Sequence, residues 1–395
     1  MRPHVGRPLA LFAVIASSLV VIATAVPSAE ARQGPGGSAP CPPRIVDLGT
    51  LGGANSEIDG ANRRGVWVGA ADNAHGIPTP TLWDHGVVRT LGESDGWAAD
   101  ITNAGVLVGN AHADTPNARA FSWYRGTSHL LPIPDWATSS FVRRINQHDD
   151  AVGNLTAADG SGVAVEWRHL RTVRVLPVPA GFSGDAEGIN DAGDIVGDIG
   201  NDTTQIAWEW GHDGSSHALQ PEYRVGFSQA NLINNRGVAA GGLDFGGQLG
   251  LWAATWSRGS VSKLGPFGPE PNFTFAFGQD QLGDYVGSGT YSPDDFSLHV
   301  FVMRAGSGTM LTMLPLSGNV DDRSNAHAVV PAYMGQPGIA VGGESTTSNG
   351  DDHATVWTCA FRQAFAPPTV AGSARVSRRA PAWKRMVDAA RPLRS

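Results

Sequence analysis

The sequence predicts an all-β protein, a seven-bladed β-propeller built from four-stranded antiparallel blades. Three observations support this fold class. A Val-Gly pair recurs along most of the 395 residues, a large apolar residue follows each pair at a similar distance, and two kinds of turn signal separate short segments. Repeats of about 45 residues with four short strands and no helical period are typical of propeller blades.

The Val-Gly pair marks seven units. Its glycines are Gly69, Gly109, Gly153, Gly197, Gly287 and Gly342, with Ala240 and Gly241 in the fifth unit, at successive spacings of 40, 44, 44, 44, 46 and 55 residues. The apolar segments that follow end on Trp83, Trp123, Trp167, Trp210, Trp256, Met303 and Trp357. Because two independent landmarks keep one period, we interpret each unit as one blade.

Each unit contains two turn signals. An Asn-x-x-Gly sequence precedes the Val-Gly pair, as in "NRRG" from Asn62 and "NDAG" from Asn190, while Thr102, Asp280 and Gly335 hold the Asn position in other units. Asn accepts backbone hydrogen bonds at the start of a turn, and Gly tolerates positive φ at its end. A second signal, such as "WDHG", follows the large apolar residue. Segments such as "VWVGA" alternate with period two, so the signals predict hairpins between half-buried strands.

The two ends of the repeat predict how the ring closes. The segment "IVDLGTLGG" at 45–53 resembles a fourth strand, since aligning Leu48 with Leu91 gives an offset of 43 residues, and the seventh unit has no fourth strand of its own. We therefore expect the N-terminal strand to complete the last blade. The same alignment places Cys41 and Cys359 in the turn that elsewhere joins the third and fourth strands. A disulfide between them would replace that turn; two free thiols are the alternative.

The chain ends predict export. Residues 1–31 contain an arginine-bearing start, an apolar run and small residues at Ala29 and Ala31, which is the pattern of a signal peptide cleaved after Ala31. A retained membrane anchor is the alternative. We divide the chain into this signal peptide, a leader over 32–44, the propeller over 45–361, and a basic, largely disordered tail over 362–395 with one short helix around 383–390. The prediction is a secreted, extracellular monomer with no membrane segment after cleavage.

The units resemble the HAF repeat of extracellular proteins. The family's "DLGTLGG" stands intact at 47–53 and "GIN" ends at Asn190, while the His-Ala-Phe step survives partially as "RAF" at Arg119, "HVF" at His299 and "HAT" at His353. The resemblance covers roughly residues 45–360. It implies secretion and a repeat architecture, and it brings no catalytic or binding residues.

Composition and the absence of known motifs exclude several classes of function. The net charge is −8, and because the tail over 366–395 carries seven Lys or Arg against one Asp, the rest of the chain is more acidic still. An acidic body argues against a nucleic-acid partner. The sequence contains no Gly-x-Ser-x-Gly, His-Glu-x-x-His, phosphate loop or local cysteine pair. We therefore predict no catalytic residue, no cofactor and no metal site from motifs.

Two features lie near the long connections between blades, opposite the short turns. Aromatic residues stand before the innermost strand in five units: Trp97, Trp136, Phe182, Phe227 and Phe273. Such residues could bind a ligand by stacking on sugar rings or clamping an apolar peptide; the alternative is that they seal neighbouring blades. Every loop between second and third strands also contains an aspartate: Asp72, Asp114, Asp159, Asp202, Asp244, Asp294 and Asp351. These could bind Ca²⁺, but we favour their role as turn residues, because their offsets vary.

The favoured function is that of a secreted, non-catalytic propeller that binds an extracellular glycan or protein. The alternative is a secreted hydrolase or lyase with carboxylates such as Asp100, Asp185 or Glu187 in the central channel. Two carboxylates within general acid/base separation beside a deep pocket would favour the enzyme. A shallow aromatic mouth with dispersed charges would favour binding.

Overall fold

Seven four-stranded antiparallel sheets form a β-propeller, as the sequence predicts. The computed structural model describes residues 44–92, 95–113, 115–220, 227–244, 251–267, 273–291, 297–331 and 338–367. Within these ranges the chain forms 28 strands and one short helix, α1 (Ala360–Gln363). The signal peptide, Cys41 and most of the tail, including its expected helix, lie outside the described residues. No described helix has the length and apolarity needed to cross a membrane.

The strands repeat in the same order in every blade, from the channel outward. The innermost strands are β2 (Gly52–Ala61), β6 (Gly96–Ile101), β10 (Ala137–Ile145), β14 (Ser183–Ile189), β18 (Ser228–Ile233), β22 (Thr274–Gln279) and β26 (Ser324–Pro331). The second strands are β3 (Val66–Asn73), β7 (Leu107–Ala111), β11 (Ala151–Ala157), β15 (Ile195–Gly200), β19 (Ala239–Leu243), β23 (Tyr285–Gly289) and β27 (Ile339–Thr346). We number the blades 1 to 7 in this order.

The third and fourth strands complete each blade. The third strands are β4 (Pro78–Asp84), β8 (Arg119–Tyr124), β12 (Gly162–Arg168), β16 (Gln205–Trp210), β20 (Trp252–Ser257), β24 (His299–Met303) and β28 (Asp352–Thr358). The outermost strands are β5 (Val87–Thr90), β9 (Thr127–Leu130), β13 (Thr172–Val175), β17 (Ser216–Ala218), β21 (Ser260–Lys263), β25 (Met310–Thr312) and β1 (Arg44–Asp47).

Close packing of strands explains the recurring glycine. A Cβ at Gly197 would lie 2.0 Å from the carbonyl oxygen of Asp185 on the innermost strand, and one at Gly153 would lie 2.0 Å from that of Phe141. No side chain fits there, so the second strand needs glycine at this point. In blade 7 the equivalent glycine is Gly343, since it pairs with Ala326 as Gly197 pairs with Ala186. It lies one residue after Gly342, the glycine of the Val-Gly pair.

The recurring tryptophans fill the space between blades. Trp167, Trp210 and Trp357 are almost completely buried. Their indole nitrogens donate to backbone carbonyls in the segment that arrives from the preceding blade, at Pro132 (2.8 Å), Pro177 (2.7 Å) and Leu314 (2.8 Å) respectively. These three tryptophans combine apolar burial with one hydrogen bond to the preceding blade, whereas the indole nitrogens of Trp83 and Trp256 are buried without a partner among the described residues. Met303 takes this position in blade 6 and is also buried.

The N-terminal strand closes the ring, which confirms the prediction. β1 pairs with β28 in antiparallel register from Arg44 opposite Thr358 to Asp47 opposite Thr355. Cys359 has φ +52°, which matches His85 at +51° in the third-to-fourth strand turn of blade 1. The chain at Cys359 thus begins that turn, although α1 and not a fourth strand follows it up to residue 367. Since Cys41 is not among the described residues, its pairing with Cys359 stays a prediction.

Candidate functional site

Every innermost strand carries an irregularity at the same place. The pairing between first and second strands skips one residue in each blade, namely Asp59, Ala99, Arg143, Glu187, Asn231, Phe277 and His327. A bulge leaves an extra residue outside the ladder and re-aims the neighbouring side chains. Seven equivalent bulges surround the central channel, so their side chains determine its chemistry.

Arg144 follows the bulge of blade 3 and spans the channel. Its Nη1 donates to the carbonyl oxygens of Asp59 in blade 1 (3.4 Å) and Ala99 in blade 2 (3.2 Å), and its Nη2 donates to that of Phe277 in blade 6 (3.4 Å). One guanidinium therefore ties together the backbones of four blades. Its hydrogen-bonding capacity is directed at carbonyl oxygens around it.

A cavity of about 270 Å³ lies at the channel end formed by the Asn-x-x-Gly turns. Side chains and backbone from all seven blades line it. Its charged or ionisable lining residues are Asp59, Arg63, Asp100, Arg144, Asp191, Asp280 and His327. The long, varied loops predict binding at the opposite end of the channel, whereas this cavity lies on the face of short, uniform turns.

The turn asparagines hold the rim of this cavity. Asn190 Oδ1 accepts from the backbone N–H groups of Ala192 (3.0 Å) and Asp194 (2.9 Å), as the turn signal predicts. Its Nδ2 donates to the carbonyl of Asn234 in the next blade (3.3 Å), as Asn146 Nδ2 does to that of Asn190 (3.1 Å). The same side chain thus shapes its own turn and links it to the next one.

The residue after the turn asparagine forms a second chain of hydrogen bonds around the rim. The backbone N–H at each such position donates to the side chain at the equivalent position of the next blade, from Arg63 to Asn103 (3.0 Å), Asn103 to Gln147 (2.9 Å), Gln147 to Asp191 (3.0 Å), Asp191 to Asn235 (2.9 Å) and Asn235 to Gln281 (2.9 Å). The sequence analysis missed these residues. Their signal was available, because each acceptor is an Asn, Asp or Gln placed directly after the Asn position.

Four buried polar atoms of the cavity lining have no hydrogen-bond partner among the described residues. They are Asp59 Oδ2, Gln279 Oε1, Asp280 Oδ2 and His327 Nε2. The other ends of these side chains are engaged: His327 Nδ1 lies 3.3 Å from Asp59 Oδ1, and Gln279 Nε2 donates to the carbonyl of Val238 (3.0 Å). Buried polar groups without partners cost free energy and are rare in folded proteins. These four residues line one cavity, which makes it a candidate site for a polar ligand.

Asp100 lines the cavity, but both of its carboxylate oxygens already accept hydrogen bonds from the protein backbone. Its Oδ1 accepts from the N–H of Ile101 (2.8 Å) and its Oδ2 from the N–H of Ile145 (3.2 Å). Burial raises the pKa of Asp100, and the neighbouring Arg144 opposes that shift. Asp100 thus joins the innermost strands of blades 2 and 3.

Asp185 and Glu187 form a separate cluster on β14 with Arg143. Arg143 Nη2 lies 3.1 Å from Asp185 Oδ2, and Arg143 Nε lies 3.4 Å from Glu187 Oε1. Burial raises the pKa of Glu187 to about 7, with Arg143 opposing the shift and Asp185 adding to it. Burial also raises the pKa of Asp198 well above its usual value, reinforced by Asp185 and Glu187. Neither Asp185 nor Glu187 belongs to the described lining of the cavity.

The five predicted aromatic residues occupy different environments. Trp97 lies on β6 and stacks on Phe141 of β10, with ring centroids 6.3 Å apart. Phe182 packs against the apolar core beside blade 4. Phe227 and Phe273 are half-buried and their backbones bond to Asp244 and Thr290, while Trp136 is 43% exposed.

None of these five residues lines the described cavity. Phe182 packs as a seal between blades would, and Trp136 is available to a partner. A ligand-binding role for the five residues stays a prediction.

Of the loop aspartates, Asp159 acts as a turn residue, whereas Asp72 lies on β3 and binds Asn55 on the neighbouring strand β2. Asp159 Oδ1 accepts from the N–H of Ser161 (3.0 Å), and Asp72 Oδ2 accepts from the N–H of Asn55 (3.1 Å). Asp114 and Asp294 lie outside the described residues. Within the described part of the chain, no three His, Cys, Asp or Glu side chains are grouped as a metal site would require.

Comparisons with known proteins identify the fold and no closer relationship. The chain matches no protein-family model and no curated protein. Puromycin hydrolase is similar in structure, with a TM-score of 0.56 and 11% identity over 85% of this chain and 56% of that one. The β-propeller domain of the Trilobed protease from Pyrococcus furiosus has a TM-score of 0.54 and 8% identity over 77% of this chain and 93% of that one.

TolB from Acinetobacter baumannii gives a TM-score of 0.46 with 12% identity over 62% of each chain. This chain thus spans less than two thirds of TolB and of puromycin hydrolase. At identities of 8–12% the likeness to the two hydrolytic proteins establishes a shared propeller fold. It carries no activity over to this chain.

Proposed function

We propose that the protein is a secreted, non-catalytic β-propeller that binds an extracellular glycan or protein in the cavity at the turn end of its central channel. The observation that carries this proposal is the set of four buried, unpartnered polar atoms in the cavity lining, on Asp59, Gln279, Asp280 and His327. A ligand that hydrogen-bonds to these atoms would recover the free energy that their burial costs.

Two sequence features support the extracellular part of the proposal. Residues 1–31 have the pattern of a cleaved signal peptide, and the repeat units resemble the HAF repeat of extracellular proteins. The partner would then be a component of the cell surface or its surroundings. Detection of the mature chain, starting at Arg32, in the culture medium tests this part on its own.

A binding array tests the binding part. The secreted protein is applied to glycans, cell-wall polymers and cell-surface proteins, with hydrolysis of the same polymers measured in parallel. We expect retention on a polar ligand without turnover. The absence of any retained ligand in the presence of turnover would contradict the proposal.

Gln279→Ile provides a cavity variant for the array. Blades 2 to 5 carry isoleucine at this position, at Ile101, Ile145, Ile189 and Ile233, so the substitution restores the prevailing side chain of the repeat. We expect the variant to fold and to bind the ligand more weakly, because it loses Oε1. Trp136→Ala is the matched test of the aromatic site on the other face. Loss of binding in Trp136→Ala but not in Gln279→Ile would move the site to the long-loop face.

One observation favours the alternative of a hydrolase or lyase. Burial raises the pKa of Glu187 to about 7, so the protonated and ionised forms of this carboxyl are both accessible near neutral pH, as general acid/base catalysis requires. Asp185, two residues before it on β14, binds the same guanidinium. Turnover that disappears in Glu187→Gln while ligand retention persists would establish the enzymatic alternative.

A further inference from the structure

The unpartnered atoms of the cavity share one property, since all of them can accept a hydrogen bond. Asp59 Oδ2, Gln279 Oε1 and Asp280 Oδ2 are oxygens with no proton to donate when the carboxylates are ionised. In the neutral tautomer of His327 whose Nδ1–H donates a hydrogen bond to Asp59 Oδ1, Nε2 is also an acceptor. The cavity thus presents several acceptors, and a complementary ligand must supply donors.

The charged residues of the cavity lining also favour a cationic ligand. Asp59, Asp100, Asp191 and Asp280 face two arginines, Arg63 and Arg144, in the lining. Arg144 directs its described hydrogen bonds at three backbone carbonyls. An anion would therefore meet twice as many carboxylates as guanidinium groups, and one of the two guanidinium groups, that of Arg144, is already engaged.

Two of the four carboxylates are already satisfied. Asp100 accepts from two backbone N–H groups, and Asp191 accepts from the N–H of Gln147 and from Asn235 Nδ2. The carboxylates with an unpartnered oxygen are Asp59 and Asp280. They lie on blades 1 and 6, on either side of His327 in blade 7, and all three residues line the same cavity.

Asp280 is the most informative of these residues. It is only 4% exposed, and its Oδ1 accepts from the N–H groups of Leu282, Gly283 and Asp284 as a turn asparagine would. Where Asn146 and Asn190 have an amide that donates to the next blade, Asp280 has an oxygen without a partner. Turn formation alone needs only Oδ1, so the second oxygen calls for another explanation.

We propose that the cavity binds a primary ammonium group, held between the carboxylates of Asp59 and Asp280 with His327 as a further acceptor. This inference rests on the proposed binding function and specifies the chemistry of the ligand. Three N–H donors and a positive charge match the acceptors and the negative charge of the cavity. An amino sugar of an extracellular glycan supplies such a group, as does a lysine side chain.

Calorimetric titration of the full secreted protein tests the proposal with defined probes. The first pair is a β-1,4-linked glucosamine tetramer and its fully N-acetylated counterpart, which differ in the charge and donors of the amino group. Nα-acetyl-lysine amide is the third probe and distinguishes a lysine source from a sugar source. We expect an ammonium-bearing probe to bind at least about tenfold more tightly than the N-acetylated tetramer, since an unpaired buried charge is costly.

Asp280→Asn is the decisive variant, because it introduces the side chain that other blades carry at this turn. It keeps Oδ1 for the turn and replaces the unpartnered oxygen with a donor. We expect an unchanged melting temperature and a loss of at least about tenfold in affinity for the ammonium-bearing probe. Asp159→Asn is the control, because Asp159 lies in an exposed loop and binds Ser161, and it should leave the affinity unchanged.

The outcomes separate this inference from the proposed function. Binding of the lysine derivative without the glucosamine tetramer supports the ammonium site and assigns its source to a protein. Equal binding of both tetramers overturns the ammonium inference and leaves a neutral glycan site standing. Binding of none of the three probes by a protein that retains a ligand on the array overturns the inference as well. An Asp280→Asn variant that folds and binds the ammonium probe with undiminished affinity also contradicts it.

Discussion

Blades 4 and 6 have the same strands in the same order, but they differ at the residues that mark the repeat. Blade 4 has Asn190 at its turn and Trp210 at the end of its third strand, while blade 6 has Asp280 and Met303. In blade 4 the turn side chain donates to the next blade, whereas in blade 6 it keeps an unpartnered oxygen in the cavity. The comparison teaches that a departure from a repeat can mark a site.

Blade 7 departs from the repeat for a different reason. It has no fourth strand of its own and receives β1 from the other end of the chain. Cys359 nevertheless adopts the left-handed conformation of the missing turn. The departures of blade 7 named here therefore serve ring closure, whereas in blade 6 Asp280 changes a residue of the cavity lining.

The largest expected effect concerns ring closure in blade 7. If Cys41 and Cys359 form a disulfide, Cys41→Ser removes a link that closes a loop of more than 300 residues, which is worth up to about 5 kcal/mol in the chain-entropy model. We expect a lower melting temperature and more aggregation, because a frayed β1 exposes the edge of β28. Thermal unfolding and light scattering measure both effects. Two free thiols in the folded, secreted protein would exclude the disulfide.

The buried residue at the end of the third strand gives the next largest effect. Trp210→Ala should cost about 3–5 kcal/mol of unfolding free energy, since it leaves a cavity and removes the hydrogen bond to the carbonyl of Pro177. Met303→Ala in blade 6 should cost about 2–5 kcal/mol. Urea unfolding of the two variants compares the blades directly. A larger loss for Met303→Ala would show that blade 6 is the more tightly packed of the two.

The turn of blade 4 should not tolerate the side chain of blade 6. Asn190→Asp places an oxygen where Nδ2 now donates to the carbonyl of Asn234 and lies 3.1 Å from Asp194 Oδ2. We expect a loss of about 1–3 kcal/mol, because acceptors then face one another.

Asn190→Ala, which also loses the turn bonds, should cost about 0.5–2 kcal/mol. Ligand affinity of the folded Asn190→Ala protein should stay unchanged, and a selective loss of binding would assign Asn190 to the site.

The reverse exchange should have the smallest effect on stability. Asp280→Asn keeps the acceptor for three backbone N–H groups, so we expect the unfolding free energy to change by no more than about 0.5 kcal/mol. Urea unfolding beside wild type measures this difference. A loss as large as that of Asn190→Asp would mean that the second oxygen of Asp280 has a structural role.

The fold follows from the sequence because its determinants are local and repeated. Asn190 shapes its own turn, Gly197 avoids a clash with the carbonyl of Asp185, and Trp210 fills the space beside its own blade. Each requirement recurs in other blades, so the same residue types recur at a nearly constant period. Even the closure by β1 is visible, since "DLGTL" resembles the fourth strands. The one shifted landmark, Gly343, lies in the blade whose spacing is irregular.

The cavity could not be predicted because it depends on residues far apart in the chain. His327 meets Asp59 across 268 positions, and Arg144 reaches Phe277 across 133. Asp59, Phe277 and His327 occupy equivalent bulge positions of the repeat, but the residue type there differs from blade to blade, and no sequence motif marks the bulges. Asp280 was visible as a departure from the Asn position, but only the structure shows that this residue lines a cavity and that its second oxygen is buried without a partner among the described residues.

A crystal structure of the secreted protein with a ligand retained on the array tests the central claim most directly. We expect electron density for the ligand in the cavity at the turn end of the channel, with a donor group within hydrogen-bonding distance of Asp59 Oδ2 and Asp280 Oδ2. Density on the opposite face, against Trp97 or Trp136 and with the cavity residues unmoved, would contradict it.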